Sequence, residues 1–539
     1  MLDDVDLEYE GALTKSDVAK YLRIALLVVG SLLFLSLFHH LMKVFYVARA
    51  PHPWGLAFAP VAITALASLT FRDRYADFIP LLQLALRSSS LGLLTYLIVE
   101  PPDLTLAAPA FEGDLRYINY AYYFAVACGV TSLFLPSFVM PTVIYILSMR
   151  MMTEDISEIP TSVLDIRYMI DMTLCLSVFA IVVRRWKSVF RDQDGSILQE
   201  VVVFIAFGLH LGNYFWSGVA KAFAGPYFWT WPIENQTQNL IPYAFDKGAL
   251  PIAQWPTLTQ ALYDGIQAFY LPLNLAIIGF QLFAIVCVFR LSWLRAATIF
   301  YDLFHVGIFV LGGLFFWPWI WNNFTILVSC YKLRIISNFA KFACILTILL
   351  GNPLFNLYRP ARLGWFDVAN ARQSYFEAVS DKAQARVPAS FFLSEAFGIS
   401  LGYMHIAPQL GQYDYTPWNA ARSYERQVTS GTCPPAGPSD PAKVESEEQR
   451  SKRVERLERF LRAHHAKMLK REAEWGHFNY FLRIYHQPSN PFLYQDFLSL
   501  PLKEVKAYEL VVESVCYQME GGDLKRNVVG RSVERYDVK

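Results

Sequence analysis

The sequence predicts an all-α polytopic membrane protein of about nine transmembrane helices, with a small α+β soluble C-terminal region. Three observations predict it. Hydrophobic residues make up 54% of the 539 positions and charged residues only 17%, against roughly a quarter charged in soluble chains. The bias is regional: apolar segments fill residues 20 to 355 and the remaining third is polar. Within that region, separate stretches approach the ~20 mainly apolar residues that a spanning helix needs.

These stretches run near 22–46, 54–71, 78–99, 120–149, 168–184, 200–222, 271–290, 298–321 and 335–352. The fourth contains Pro136 and Pro141, which kink it or divide it into two short pieces. Residues 1–20 are polar and acidic and lack the basic start and short apolar run of a signal peptide. The first span is therefore expected to act as its own insertion signal. Lys and Arg set the orientation. The loop with Arg184, Arg185, Lys187 and Arg191 and the link with Arg290 and Arg295 are basic, which places both in the cytoplasm. The long loop 223–270 is rich in Trp, Pro and Tyr and poor in Lys and Arg, so it is expected outside. Nine spans then put the C-terminal region on the cytoplasmic side.

The chain divides into a polar tail (1–20), a transmembrane domain (21–355), a membrane-proximal polar region (356–427), a Pro/Gly/Ser linker (428–442) and a soluble region (443–539). A charged helix is expected over 443–475. Leu457, Phe460, Leu461, Ala463 and Met468 give it a modest apolar stripe, and His464 and His465, on this charged helix, are expected to be solvated. The run YELVVESVCYQM (508–519) alternates as a strand does. A net charge of +1 gives no reason to expect a nucleic-acid partner. The seven cysteines show no CxxC or Cys/His spacing, so neither a metal site nor a disulfide framework is expected.

Candidate chemistry concentrates on two helices. The stretch VVVFIAFGLHLGNYFWSGVAK (201–221) is greasy, yet His210, Asn213, Ser217 and Lys221 share one face at helical spacing. Polar groups at membrane depth are costly and usually face a bundle interior or a watery cavity. Lys221 can snorkel its amine to the headgroups. Alternatively, a partly desolvated neutral amine there can act as a general base, with His210 as helper. In YDLFHVGIFVLGGLFFWPW (301–319), Asp302 and His305 are three apart and adjacent on a helix, so the carboxylate can orient the imidazole. A structural pair locking two helices is the other reading. Arg87 lies within the third span. It must face protein, water or an anion, either a lipid phosphate or a carboxylate such as Asp171.

The stretches YFWSGVAKAFAGPYFWTW (214–231) and FHVGIFVLGGLFFWPW (304–319) resemble two motifs of the vitamin K-dependent γ-carboxylase superfamily, the horizontally transferred transmembrane (HTTM) domain family. The resemblance spans roughly residues 20 to 350. It implies that Lys221 is the base acting on a quinone-like substrate, with Tyr214 nearby. It further implies that Tyr120 stands where the carboxylase has an assisting histidine. No counterpart of the carboxylase's β-rich propeptide-binding region is visible, so glutamate carboxylation is not implied. Bacterial members without assigned activity suggest a multi-pass inner-membrane location.

Two functions are weighed. One is a membrane-embedded protein binding or acting on a lipid or quinone-like molecule, with Lys221, His210, His305 and Asp302 as catalytic candidates. Arg87, Asn213, Tyr214, Ser217 and Tyr120 would be its binding residues. The other is a non-catalytic membrane subunit or scaffold, with lipid and partner membrane proteins as its contacts.

Overall fold

A computed structural model describes residues 15–47, 55–71, 73–99, 116–156, 164–185, 195–357, 364–396, 399, 446–476 and 487–538. The linker 428–442, Lys187 and Arg191 lie outside the described residues. The helices of the N-terminal part are α1 (Lys15–Val47), α2 (Gly55–Thr70), α3 (Pro80–Val99), α4 (Arg116–Ser132), α5 (Val139–Ile156), α6 (Leu164–Arg185) and α7 (Ser196–Ala222). There follow α8 (Thr230–Glu234), α9 (Leu240–Asp246), α10 (Pro256–Ala268), α11 (Tyr270–Phe283), α12 (Leu291–Gly312), α13 (Trp317–Ser329) and α14 (Asn338–Gly351). The C-terminal region contributes β1 (Asn370–Val379), β2 (Gln384–Arg386), α15 (Glu447–Trp475), α16 (Gln495–Ser499), β3 (Ala507–Glu520) and β4 (Asp523–Asp537).

Among the described residues, five helices are long and apolar enough to cross a membrane: α1, α3, α6, α7 and α12. The pair α10 and α11, bent by 78°, makes a sixth if counted as one span. Three shorter apolar helices lie over Ala59–Thr70, Pro136–Met149 and Asn338–Gly351. Two of the expected segments are each two helices. Segment 120–149 breaks between α4 and α5, where Pro136 forces Leu135 into extended backbone (φ −127°, ψ 103°). Segment 298–321 breaks at Gly313, whose left-handed φ of 66° caps α12, and Pro318 then starts α13. A side chain at Gly313 would also collide with the Ala249 carbonyl, 2.6 Å from the ideal Cβ position.

α7 is the axis of the bundle. It packs against α3, α6, α11 and α14, and it is buried over most of its length, as expected of a helix that is apolar nearly all round. Gly208 lets α14 approach closely, since an ideal Cβ there lies 2.8 Å from the Cys344 carbonyl oxygen and from Thr347. One end of the bundle is ionic. Arg184 bridges Asp73 (2.7 Å) and Asp77 (2.6 Å), Glu200 Oε1 accepts the Ser337 amide at 3.0 Å, and Arg295 donates to the Cys330, Tyr331 and Leu333 carbonyls.

The opposite end carries residues 223–270 and the C-terminal sheet. The sheet order is β2-β1-β3-β4, all antiparallel. Gly521 and Gly522 (φ 64° and 88°) supply the left-handed turn between β3 and β4. β3 covers a face on each side. Tyr508, Leu510 and Val512 pack under α15 with Leu457, Phe460, Leu461 and Met468, four residues of the stripe expected from the sequence, while Ala463 is only part-buried. Val515 and Tyr517 pack toward Tyr243 at the bundle end. His464 and His465 are not solvated: their rings are buried, bonded to the Phe391 carbonyl and the Tyr508 hydroxyl at 2.9 Å each. The stripe is wider than the aliphatic residues alone suggest. Cys516 is disulfide-bonded, a bridge that cysteine spacing does not announce. Cys128, Cys175, Cys287, Cys330 and Cys344 are free and buried, and Cys433 lies outside the described residues.

Asp246 fastens the sheet to the bundle. It accepts from the Tyr517 hydroxyl at 2.6 Å and pairs with Arg526 (2.9 Å) and Arg386 (3.3 Å). Burial works to raise its pKa, but the two guanidinium groups and the Tyr517 hydroxyl hold it below the usual carboxylate value. The Tyr494 hydroxyl donates to the Lys247 carbonyl (3.0 Å), and Asn490 bonds Gly248 and Leu250. The C-terminal region therefore sits at the same end as loop 223–270. A count of nine spans places it at the other end; the chain instead turns back at Gly313, and α13 returns toward the end that carries Arg295.

Beside Asp246, the Lys247 amine is buried with no hydrogen-bond partner among the described residues. Burial pushes it down from 10.5 to about 7, with the Arg386 charge adding to the push and Asp246 opposing it. Between those two pH values the unfolded chain holds a proton that the folded chain does not, so this group makes stability rise with pH through that window. Lys247→Met should stabilise the protein by about 1–4 kcal/mol at pH 6 and flatten its stability between pH 7 and 10. Thermal unfolding across that range checks this, and a variant no more stable than the parent at pH 6 contradicts it.

Candidate functional site

The motif helices α7 and α12 meet at a buried polar cluster completed by α13. His210 is fully buried, and its Nε2 lies 2.9 Å from Asn323 Oδ1. Since that amide oxygen can only accept, Nε2 carries the hydrogen, a tautomer assigned from the network. Asn322 Nδ2 faces His210 Nδ1 at 3.4 Å. Asn323 Nδ2 donates to the Tyr214 hydroxyl at 2.9 Å and to Asp302 Oδ1 at 2.8 Å, using both of its hydrogens. The second imidazole is fixed in the same way. His305 Nδ1 lies 2.8 Å from the Tyr301 carbonyl and 3.4 Å from the Tyr214 hydroxyl. The shorter contact requires a hydrogen on Nδ1.

Aromatic rings enclose the cluster. Tyr214 stacks on Tyr301 at 3.9 Å and 10°. Trp319 lies edge-on to His210 and Tyr214 and tilted to His305. Asp302 is only part-buried, beside the exposed outer face of α12 marked by Ile299, Leu303 and Val306. The cluster thus runs from a sealed interior at His210 to the outer edge of the bundle at Asp302. An amide does not pass protons readily, so Asn323 positions its neighbours and does not connect them as a proton wire. Of the cluster's ionisable groups His210, Tyr214, His305 and Asp302, Asp302 is the one that is not fully buried.

The remaining expected residues divide between other places. Asp302 and His305 do not pair with each other: Asp302 turns to Asn323, and His305 bonds the carbonyl one turn back on its own helix. Asn213 Nδ2 and Ser217 Oγ also bond back to their own helix, at the Leu209 and Asn213 carbonyls. Lys221 lies eleven residues from His210, about 16 Å along the axis, and belongs to a separate locus. Its amine lies 5.5 Å from the Trp231 ring and 5.6 Å from the Trp365 ring, in the field of Asp367. Asp367 accepts from Asn235 Nδ2 (3.0 Å) and Trp365 Nε1 (3.0 Å), and Trp231 Nε1 donates to the Trp365 carbonyl (2.6 Å). Burial raises the Asp367 carboxyl to about 6, against the hydrogen bonds and the Lys221 charge. This locus ties the chain beyond α14 to the end of α7. Tyr120, on α4, is exposed and outside both loci. Asp171 is bonded to His39 (2.5 Å) and near Arg167 (3.7 Å), so it is not the partner of Arg87.

Sequence reasoning misses Asn322 and Asn323. Both stand in WPWIWNNFTILVS, where two adjacent amides in an apolar helix carry the same signal that singles out His210. It also misses Trp365 and Asp367, and Trp231 enters it only as the end of the 214–231 motif. Among the described residues, no group of three or more His, Cys, Asp or Glu side chains could hold a metal ion. No family model, curated protein or solved structure matches this chain.

Asn323→Leu removes bonds to three residues and leaves the His210 N–H and the Asp302 carboxyl without their partner. The expected cost is about 2–4 kcal/mol. In a double-mutant cycle with His210→Leu, the pair should cost less than the sum of the two by about 1 kcal/mol. Unfolding in detergent reads this, and strict additivity would show that the two residues act independently.

Proposed function

We propose that this chain is a multi-pass membrane protein that binds a lipid-soluble molecule with a hydrogen-bonding head at the Asp302–His305 edge of the bundle. The observation that carries the reading is the part-buried Asp302, held by Asn323 beside an apolar, outward face. A carboxylate with one partner in such a place is expensive unless it serves a ligand or a partner. The two motif stretches, from separate parts of the chain, come together where Tyr214 and His305 face each other at 3.4 Å. This supports their reading as one site, and the HTTM resemblance rests on those motifs alone. The membrane reading is supported by the five apolar helices and by outward apolar rows such as Leu22, Leu26, Leu37 and Leu41 on α1. With the basic end in the cytoplasm, loop 223–270 and the C-terminal region lie outside, a placement that the Cys516 disulfide supports.

The ligand reading thus moves from Lys221 to Asp302 and His305. Lys221 is sheathed by two indoles and serves to hold the Trp365–Asp367 segment. A quinol suits the edge chemically, since its hydroxyls can donate to the Asp302 carboxylate and its flat ring can meet the aromatic cluster. The second reading is a non-catalytic subunit or scaffold. The exposed Phe223, Tyr227, Phe228 and Trp229 at the end of α7 favour it, though an interfacial aromatic belt has the same composition.

The test uses the purified protein in nanodiscs and a short-chain benzoquinol, kept reduced, as probe. Binding read by titration calorimetry should saturate, and Asp302→Ala should weaken the apparent affinity about tenfold or more, measured below the unfolding transition of the variant, which the loss of the Asn323 acceptor lowers. Heat that does not saturate with quinol, or is unchanged in Asp302→Ala, would overturn the ligand reading.

A further inference from the structure

We propose that a basic cleft at the cytoplasmic end of the bundle binds the phosphate of an anionic lipid headgroup. The inference rests on the membrane reading above but on none of the residues of the Asp302 site. The cleft has a volume of about 710 Å³ and lies between α3, α12, α13 and the turn after α13. Three cations from three parts of the chain converge on it: Arg87, Arg295 and Lys332. Among the described residues, no carboxylate lines it. Arg87 lies over the Tyr75 ring at 4.5 Å and forms no ion pair or hydrogen bond with a described residue. Arg295 is held at one nitrogen, Nη2, by the carbonyls of Cys330, Tyr331 and Leu333, which fixes the guanidinium and leaves its other donors available. Three carboxylates at this end are already engaged: Asp73 and Asp77 with Arg184, and Glu200 with the Ser337 amide.

Depth and wall chemistry narrow the ligand to a lipid. Arg87 is seven residues into α3 and Arg295 four residues into α12, about 10 Å and 6 Å from the helix starts. These depths fall within and just beneath the headgroup layer, which is roughly 5–8 Å thick on each side of the hydrocarbon core. A lone arginine at such a depth reaches out to water. Three cations that share one cleft instead concentrate positive charge where an anion can be bound by several of them at once. Pro80, Leu84, Leu327 and Val328, with the polar Gln83 and Tyr331, complete the wall; its apolar part suits a glycerol backbone and the start of an acyl chain, which a free phosphate ion does not use.

The experiment reconstitutes the full chain in phosphatidylcholine nanodiscs with a minority of phosphatidylglycerol and counts retained lipids by native mass spectrometry. Phosphatidylglycerol should be retained above its share of the bilayer. Arg87→Gln and Lys332→Gln should each lower that retention about fivefold, whereas Lys341→Gln, which removes a part-exposed charge bonded to Asn338 outside the cleft, should leave it unchanged. Excess inorganic phosphate should not displace the lipid. Retention equal to the bulk share, or an equal loss in all three variants, would overturn the proposal. Displacement by inorganic phosphate would also overturn it, in favour of a soluble anion. Failure of the protein to enter nanodiscs at all would overturn the membrane reading along with it.

Discussion

Asn323 is the residue on which the interior of the bundle depends. A histidine, a tyrosine hydroxyl and a carboxyl come from two other helices into an apolar interior where no solvent replaces a missing partner. Asn323 answers all three, accepting from His210 and donating to Tyr214 and Asp302. Because its three bonds point to α7 and α12, α13 must enter the bundle at one rotation and one height. The rings of Trp319, Tyr214 and Tyr301 then pack around that fixed point. A network of this kind contributes less in net stability than the loss of any one member costs, so its principal effect is to specify a single arrangement.

The same principle organises the end of the bundle that carries the C-terminal region. Asp246 is buried and tolerable there because Arg386, Arg526 and Tyr517 surround it. Lys221 is tolerable because two indole faces and Asp367 lie beside it. Both loci join chain segments that are far apart in sequence. The C-terminal sheet is thus not a tethered appendage; it is bonded to the end of α9 and the segment that follows it, and β3 is buried on both faces as a consequence.

Much of this is legible in the sequence. Apolar length alone locates most of the helices, the spacing of Leu457, Phe460, Leu461 and Met468 predicts the buried stripe of α15, and YELVVESVCYQM falls within β3. The two motifs that stand out, on α7 and α12, meet through Tyr214 and His305. What is not legible is set by single residues acting at a distance. Gly313 and Pro318 divide one apolar run into two helices, and that one division decides on which end the sheet sits. Lys221 shares a face with His210, yet eleven residues of helix separate their environments. Asn322 and Asn323 do not stand out because they fall just beyond the apolar run 298–321, and only the break at Gly313 and Pro318 makes them part of a bundle helix. His464 and His465 look solvated because their neighbours in sequence are charged, whereas the residues that bury them come from other parts of the chain.

The central proposal is that Asp302 sits at a lipid-facing edge, with His305 buried behind it and Asn323 supporting it from within. The most direct test is a nitroxide on Val306→Cys, an exposed position next to His305 on the outer face of α12. In reconstituted protein its relaxation should respond strongly to dissolved oxygen and weakly to a water-soluble nickel chelate, as it does inside hydrocarbon. Strong relaxation by the nickel chelate would place that face in water and contradict the account.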